Sequence, residues 1–194
     1  MAPQPPKILA FAGSTRTESW NKKLVKIAAQ GAQDAGAIVT VVDLRDFPMP
    51  LYDGDLEDQQ GLPETVQQFK ALMLDHQGLL IAAPEYNSSI TGVLKNIIDW
   101  ASRQAEGEAS LACFTGKVAS LMSASPGGLG GLRGLVHVRA ILESIGVIVL
   151  PNQVAVSKVH EAFSPEGRLF SEKQQSSILT LGKQTADILK KLQS

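Results

Sequence analysis

The sequence has few of the residues from which disulfide scaffolds, metal sites and nucleic-acid interfaces are built. Its 194 residues include a single cysteine, Cys113, so no disulfide can form within the chain. The three histidines, His76, His137 and His160, are scattered and have no cysteine or second histidine at metal-ligand spacing, so we expect no metal site. A formal net charge of −1 gives no electrostatic reason to expect nucleic acid or an anionic membrane as a partner.

Long apolar runs are also missing. No stretch of the sequence approaches the ~18 consecutive apolar residues that a membrane-spanning helix needs. Residues 1–6 contain three prolines and no apolar segment, so we predict a short extended N-terminal arm, no signal peptide and a cytoplasmic location. Residues 7–194, in a chain with 44% hydrophobic residues, are predicted to form one domain.

What the sequence does contain is a regular alternation of apolar, β-branched runs with amphipathic segments. This alternation predicts five strands and five helices, and so a parallel sheet with helices on both faces. The predicted strands are 7–12, 37–43, 78–84, 117–123 and 147–150, and the predicted helices are 21–35, 63–76, 92–103, 132–144 and 171–192. Residues 44–61 are predicted to be one long loop, and residues 152–167 to be irregular after Pro151 ends the last strand.

The turn from Gly13 to Asn21 lies between the first predicted strand and the first helix. It offers four serine and threonine hydroxyls and the Arg16 guanidinium beside the free N–H groups and positive dipole end of that helix. This combination suits a phosphate group. The turn has one glycine and matches neither the Gly-x-Gly-x-x-Gly nor the Walker pattern. An ordinary turn with Ser19 as helix N-cap is the alternative interpretation.

Two further loops follow the third and fourth predicted strands. Residues 84–92 combine Tyr86, whose ring can pack on a flat ligand, with polar side chains at Asn87 and Ser88. Residues 123–131 include four glycines within five residues, which permits a close approach between backbone and ligand. Loops at the carboxyl ends of parallel strands meet at the switch point in strand order, so we expect one shared cleft. The alternative for residues 84–92 is a helix entry capped by serine, and the alternative for residues 123–131 is a flexible connection.

Together, the three loops resemble the motifs of the NADPH-dependent FMN reductase family. The matching segments are Gly-Ser-x-Arg-x-x-Ser-x-Asn at 13–21, Pro-Glu-Tyr-Asn-x-Ser at 84–89 with Gly92, Leu94-Lys95-Asn96 and Asp99-Trp100, and Ser-Pro-Gly-Gly at 125–128. The resemblance spans about residues 7–150. It implies a flavodoxin-like fold, which is an α/β fold with a doubly wound five-stranded parallel sheet in the order 2-1-3-4-5. It also implies an enzyme that uses FMN, with NADPH or NADH as co-substrate, to reduce quinones, chromate, azo dyes or free flavin.

The resemblance also assigns residues of the three loops to the FMN site. The implied phosphate ligands are Ser14, Arg16, Ser19, Trp20 and Asn21; the implied ring-lining residues are Pro84, Glu85, Tyr86 and Asn87; and the implied residues on the ribityl side are Ser123, Ser125, Pro126 and Gly127. No catalytic side chain is implied, because the flavin itself carries hydride transfer. The chain departs from the family at Thr91, where many members carry proline.

The family's mechanism and assembly supply further expectations. Donor and acceptor would use the same flavin face, which implies ping-pong kinetics and small-molecule electron acceptors. Arg103 and Arg133 are candidates to hold the NADPH phosphate. A homodimer or homotetramer is implied. We expect its contact surface among the apolar helix residues Val93, Leu94, Ile97 and Ile98 and the loop 47–52, from which Leu51 or Tyr52 would reach a neighbour's cleft.

Three alternatives stay open at this point. The first is a flavodoxin-type electron carrier, although the net charge of −1 and the arginine in the first turn are unlike those usually strongly acidic proteins. The second is a flavin-binding sensor with low turnover, because the motifs report binding and not rate. In the third, FMN is a diffusible substrate and not a retained prosthetic group.

Overall fold

The computed structural model describes residues 4–193. The predicted N-terminal arm, residues 1–6, therefore lies partly outside the described residues, and its division from a single domain at residue 7 stays a prediction. Pro6, at the end of that arm, is buried, and its carbonyl accepts a hydrogen bond from the amide of Ile38, with N and O 2.9 Å apart. The chain thus enters the sheet beside its second strand.

Residues 4–193 contain seven strands and seven helices. The strands are β1 (Lys7–Ala12), β2 (Ile38–Val42), β3 (Gly78–Ala82), β4 (Glu85–Tyr86), β5 (Ser89–Ile90), β6 (Val118–Ala124) and β7 (Ile148–Val156). The helices are α1 (Trp20–Asp34), α2 (Gly54–Gln60), α3 (Glu64–Asp75), α4 (Gly92–Ala101), α5 (Leu132–Ser144), α6 (Val159–Ala162) and α7 (Glu172–Leu192). A single 3-10 turn covers Leu44–Asp46.

Five of the strands form one parallel sheet in the order β2-β1-β3-β6-β7. Numbered within this sheet alone, the order is 2-1-3-4-5, which is the flavodoxin-like arrangement and confirms the predicted fold class. Ile8 of β1 lies opposite Val39 of β2 on one side and opposite Gly78 of β3 on the other. The strand order therefore reverses at β1 and β3, and a ligand is expected beyond the carboxyl ends of these strands.

Helices cover both faces of the sheet, as predicted. Buried residues of α1 and α7, such as Leu24 and Ile178, share one core with one face of the sheet. Buried residues of α3, α4 and α5, such as Phe69, Ile97 and Leu135, form the second core on the other face. β3 is buried along its whole length because it lies between the two layers, which explains its continuous apolar sequence.

The predicted loop at 44–61 is wrong in part, because it contains the 3-10 turn and α2. The start of α2 was visible in the sequence. Asp53 caps that helix by accepting a hydrogen bond from the Asp55 amide at 2.9 Å, and Asp55 and Glu57 lie in the first turn, where acidic residues are favourable.

The predicted end of the last strand at Pro151 is also wrong, since β7 continues to Val156. β7 is an edge strand, where a proline is tolerated because one side of the strand makes no ladder hydrogen bonds. The pairing with β6 shifts register across this point, from Ala119 opposite Val149 to Leu121 opposite Gln153. The short helix α6 and the β4–β5 hairpin are further elements that the sequence pattern did not predict. None of the described helices is both long enough and apolar enough to cross a membrane.

Candidate functional site

A cleft of about 100 Å³ opens at the carboxyl ends of the central strands, where the switch point predicts it. Ten of the thirteen predicted site residues line it. The lining consists of Ser14, Arg16, Ser19, Trp20, Asn21, Pro84, Glu85, Tyr86, Ala124, Ser125 and Pro126. Larger surface grooves of about 580 and 700 Å³ lie elsewhere and contain none of the predicted residues. The three loops that the sequence singled out thus do converge.

The first wall of the cleft is the turn between β1 and α1. Ser14 and Ser19 are buried, while Arg16 is exposed at the rim. Ser19 occupies the N-cap position of α1 with an extended backbone, yet its hydroxyl makes no capping bond within the described structure. The first turn of this described helix also contains no acidic residue that would repel an anion. Buried hydroxyls and free helix N–H groups without a competing carboxylate fit a phosphate group.

Asn21 joins this turn to the end of β6. Its side-chain nitrogen donates to the Ala124 carbonyl at 2.8 Å, and its side-chain oxygen accepts from the Ala124 amide at 2.9 Å. These bonds occupy the side-chain oxygen and one amide hydrogen of Asn21, and its role as a phosphate ligand stays a prediction. The two bonds also fix the distance between two walls of the cleft.

Trp20 lines the cleft, and its ring contacts Phe163 and the Lys23 ammonium. The ring stacks on Phe163, with centroids 5.4 Å apart and an interplanar angle of 21°, and the Lys23 ammonium lies 4.7 Å from the centroid. The indole ring is thus engaged by these two side chains, and the backbone of Trp20 is at the first position of α1, where helix N–H groups have no intrahelical partner.

The second wall is the β4–β5 hairpin. Asn87 and Ser88 connect its strands with φ angles of 51° and 65°, the left-handed pair that a type I′ turn requires. Tyr86 lines the cleft and leaves 61% of its surface exposed, so its ring is available to a ligand. Asn87 lies at the hairpin tip and not in the cleft lining, which differs from the prediction.

The Glu85 carboxylate is directed away from the cleft and into the start of α5. It accepts hydrogen bonds from the Arg133 side chain at 2.8 and 2.5 Å and from the backbone amides of Arg133 and Gly134 at 3.0 and 3.2 Å. Burial by itself would raise the pKa of Glu85, but the bonds from Arg133 and Gly134 outweigh burial and hold this pKa below its usual value. Glu85 is therefore ionised and fully engaged at neutral pH, so a ligand meets its backbone and not its carboxylate.

The third wall is the loop between β6 and α5. Ser125 and Pro126 line the cleft, and the Ser125 hydroxyl accepts from the Gly127 amide at 3.2 Å. Ser123 is buried beneath this loop, and its hydroxyl has no partner among residues 4–193. Gly131 passes directly above it, so a Cβ at that position would lie 1.9 Å from the Ser123 oxygen. Ser123 and Gly127 are thus outside the lining: Ser123 supports the loop from below, and Gly127 lies on its exposed side.

Thr91 lies outside the cleft lining but supports one of its walls. Its buried hydroxyl donates to the Gly13 carbonyl at 2.6 Å and accepts from the Leu94 amide at 3.2 Å. The same side chain therefore caps α4 and ties the turn between β1 and α1 to it. A threonine three residues before the capped amide is a recognisable N-cap signal, but nothing in the sequence indicates the bond to Gly13.

Both arginines that were candidates for the NADPH phosphate are paired with carboxylates. Arg133 binds Glu85, and the Nε of Arg103 donates to both oxygens of Glu57 at 2.8 and 3.0 Å. The Arg103 guanidinium also lies 5.3 Å from the centroid of the Tyr52 ring. Across residues 4–193, no three His, Cys, Asp or Glu side chains are grouped so that they could hold a metal ion.

The fold and the cleft define an α/β protein with a cleft at the switch point of its sheet, lined in part by buried hydroxyls at a helix N-terminus. The model of the NADPH-dependent FMN reductase family matches residues 6–161. The chain belongs to this family, whose members are oxidoreductases that use FMN and NAD(P)H.

Individual relatives agree with this assignment. The chain is 36% identical over 173 residues to an NAD(P)H-dependent FMN reductase of Pseudomonas aeruginosa, covering 89% of each chain. It is 32% identical over 148 residues to a quinone reductase of Escherichia coli strain K12, covering 74% of this chain and 73% of the relative. The solved structure of a flavoenzyme NAD(P)H:(acceptor) oxidoreductase from Paracoccus denitrificans superposes with a TM-score of 0.79 at 27% identity, covering 96% of this chain and 98% of that one.

Proposed function

We propose that this protein passes a hydride from NADPH or NADH to FMN bound in the cleft, and then two electrons to a small-molecule acceptor in a ping-pong cycle. The observation that carries the proposal is the convergence of three separate loops on one cleft. One loop brings buried hydroxyls to a helix N-terminus, and another brings the exposed Tyr86 ring. These are complementary to a phosphate and to a flat aromatic ring, which are the two ends of FMN.

The chain's part in this reaction is binding and orientation. Ser14, Ser19 and the first amides of α1 bind the phosphate, with Arg16 at the rim. Tyr86 and the buried Pro84 form the wall against the ring, and Ser125 closes the other side. When bound, FMN supplies the two-electron chemistry that links the nicotinamide to the acceptor. No side chain is required to move a proton or to act as a nucleophile.

Quinones are the acceptor class that the comparison supports, because the E. coli relative is named a quinone reductase. We extend the proposal to azo dyes, chromate and free flavin, since an exposed ring-side wall such as Tyr86 makes few contacts that would exclude them. The cytoplasmic location expected from the sequence stays a prediction.

We further propose that the protein is a homodimer or homotetramer. Part of the predicted contact surface is wrong, because Leu94, Ile97 and Ile98 of α4 are buried in the core. The loop before α2 is the remaining candidate, since Leu51 exposes 80% of its surface. The side-chain nitrogens of Asn96 and Trp100 donate to the Pro50 carbonyl at 2.9 and 2.8 Å, and these bonds hold the loop on α4. A monomeric mass by light scattering at micromolar concentration would contradict the assembly.

An absorbance spectrum of the purified, desalted protein, followed by addition of NADPH under nitrogen, tests the proposal. Flavin absorbance that NADPH bleaches and a quinone restores is the expected result, and initial-rate lines for the two substrates should be parallel. Bound flavin that neither NADPH nor NADH reduces would contradict the reductase and favour the carrier or the sensor. A colourless protein that takes up FMN and turns it over would instead identify FMN as a substrate. Failure to bind FMN at all would overturn the site.

A further inference from the structure

The β4–β5 hairpin, which forms the ring-side wall, is not part of the main sheet. It consists of two residue pairs, Glu85 opposite Ile90 and Tyr86 opposite Ser89. An isolated two-stranded hairpin is marginally stable in water, and one this short has almost no backbone ladder of its own. Its position over the cleft must therefore be set by the element on which it packs, and that element is α5.

The strongest contact between the hairpin and α5 is made by Glu85. Its two carboxylate oxygens accept four hydrogen bonds, two from the Arg133 side chain and one each from the amides of Arg133 and Gly134. The N-cap residue of α5 is Gly131, which has no side chain to cap the helix. Glu85 thus supplies from the hairpin the capping anion that α5 lacks, and its side chain is only 8% exposed.

Two further contacts hold the other strand of the hairpin to the same helix. The Nδ1 atom of His137 lies 2.9 Å from the Ser89 hydroxyl. Gly134 lets the two backbones approach, because a Cβ there would lie 3.1 Å from the Ser89 carbonyl oxygen. We call the four bonds of Glu85 to Arg133 and Gly134 the hairpin clamp, since they are the charged part of this contact.

We propose that the hairpin clamp positions the ring-side wall, so that Glu85 and Arg133 set the affinity of the cleft for the flavin ring through Tyr86. Successive side chains of a strand point to opposite faces. Fixing Glu85 against α5 therefore fixes Tyr86 on the opposite face, where it lines the cleft. Glu85 and Arg133 are positioning residues in this account. The inference rests on the proposed function, because it requires that a flavin binds.

The test compares ligands that use different parts of the cleft. FMN carries ring and phosphate, riboflavin carries the ring alone, and inorganic phosphate occupies the turn at Ser14 and Ser19 alone. In Glu85→Gln we expect affinity for riboflavin and FMN to fall about tenfold, because a charged, hydrogen-bonded anchor is lost. The inhibition constant of inorganic phosphate against FMN should be unchanged. Arg133→Met should show the same pattern more weakly, since the backbone bonds to Glu85 remain, and Arg133→Lys should recover part of the loss.

Glu57→Gln is the matched control. It breaks another arginine–glutamate pair, in which the Arg103 Nε lies 2.8 Å from a Glu57 oxygen, but at a residue outside the cleft lining. It should leave all three ligands unaffected.

The outcomes separate the inference from the proposed function. A wild-type protein that binds neither FMN nor riboflavin would overturn the function itself. A wild-type protein that binds both, with Glu85→Gln binding them equally well, would overturn the clamp alone. Equal losses of affinity for riboflavin and for inorganic phosphate would also overturn the clamp, because the whole cleft would then be disturbed. If Glu85→Gln fails to fold, as judged by circular dichroism, the comparison of Arg133→Met with Arg133→Lys decides.

Discussion

At the scale of single residues, Thr91 holds the loop before α4 through hydrogen bonds of its buried hydroxyl. Substitution by valine keeps the shape of the side chain but removes the hydroxyl. The Gly13 carbonyl and the Leu94 amide then lose a buried partner. We expect Thr91→Val to lower the free energy of unfolding by about 1–3 kcal/mol, measured by denaturant titration. Thr91→Ser keeps the hydroxyl, so its free energy of unfolding should fall much less. An equal decrease in both variants would contradict the role of this bond.

Arg16 lies at the exposed rim of the phosphate turn and is the residue to test for phosphate affinity. Arg16→Gln removes the charge of this side chain and should lower the affinity for FMN and for inorganic phosphate by roughly five- to tenfold, because charge-assisted bonds to phosphate are stronger than neutral ones. Riboflavin, which lacks the phosphate, should bind as it does to the wild type. Isothermal titration with the three ligands measures this, and a loss of riboflavin affinity would show that Arg16 also shapes the ring side.

The sequence predicts which residues lie near the cleft better than it predicts the hydrogen-bond partners of their side chains. Motif residues at strand ends reach the cleft because the parallel sheet brings those ends together. A sequence can indicate this, since the alternation of strands and helices predicts such a sheet. Glu85 belongs to the matching motif, but its carboxylate caps a helix that begins 47 residues later, at Leu132. The side chain of Asn21 likewise forms a hydrogen bond with the distant residue Ala124. Such long-range partners leave no local signal, so the sequence located these residues without showing their bonds.

At the scale of elements, the packing of α1 on α7 depends on glycines where the helices cross. A Cβ at Gly182 would lie 1.8 Å from the Ala28 carbonyl oxygen. Gly182→Ala should therefore force the helices apart and destabilise the protein by about 1–3 kcal/mol or more, although alanine is the better helix former. Gly54→Ala is the control, because its nearest neighbour, the Tyr52 hydroxyl, is at an ordinary 3.8 Å. Thermal unfolding that ranks the two variants equally would contradict the argument.

The elements that the sequence predicted well are those with a strong apolar period. All five strands of the sheet and the five longest helices were found, because each must bury one or both faces. The hairpin and α6 are too short to show a period, and α2 has no buried residue at all. The continuation of β7 beyond Pro151 depends on its place at the sheet edge, which only the assembled topology reveals.

At the scale of the whole molecule, paired carboxylates make stability depend on acid. The hydrogen bond from Lys70, 2.7 Å from Glu108, lowers the pKa of Glu108 despite burial, and bonds also hold the pKa of Glu85 below normal. A lowered folded pKa means that the unfolded chain binds more protons in acid. Each contribution is thus fully present above the ordinary glutamate pKa of about 4.3 and disappears as the pH falls through the lower folded value.

We expect the urea midpoint to be nearly flat from neutral pH to about pH 5 and to fall below it. Glu108→Gln should be less stable than the wild type at pH 7, but its urea midpoint should decrease less on acidification. This follows because glutamine has no proton to take up. Parallel curves for the two proteins between pH 6 and about pH 3 would show that Glu108 contributes nothing to acid sensitivity.

The tie between Asn21 and Ala124 spans 103 residues of sequence. During synthesis the turn between β1 and α1 emerges early, but the Ala124 backbone that aligns it becomes available only after five further strands, β2 to β6, and three further helices, α2 to α4, have been made. The cleft can thus be completed only after four of the five strands of the main sheet have been made. Cofactor capture therefore follows the formation of most of the sheet, and flavin scarcity should leave a folded apoprotein and not an unfolded chain.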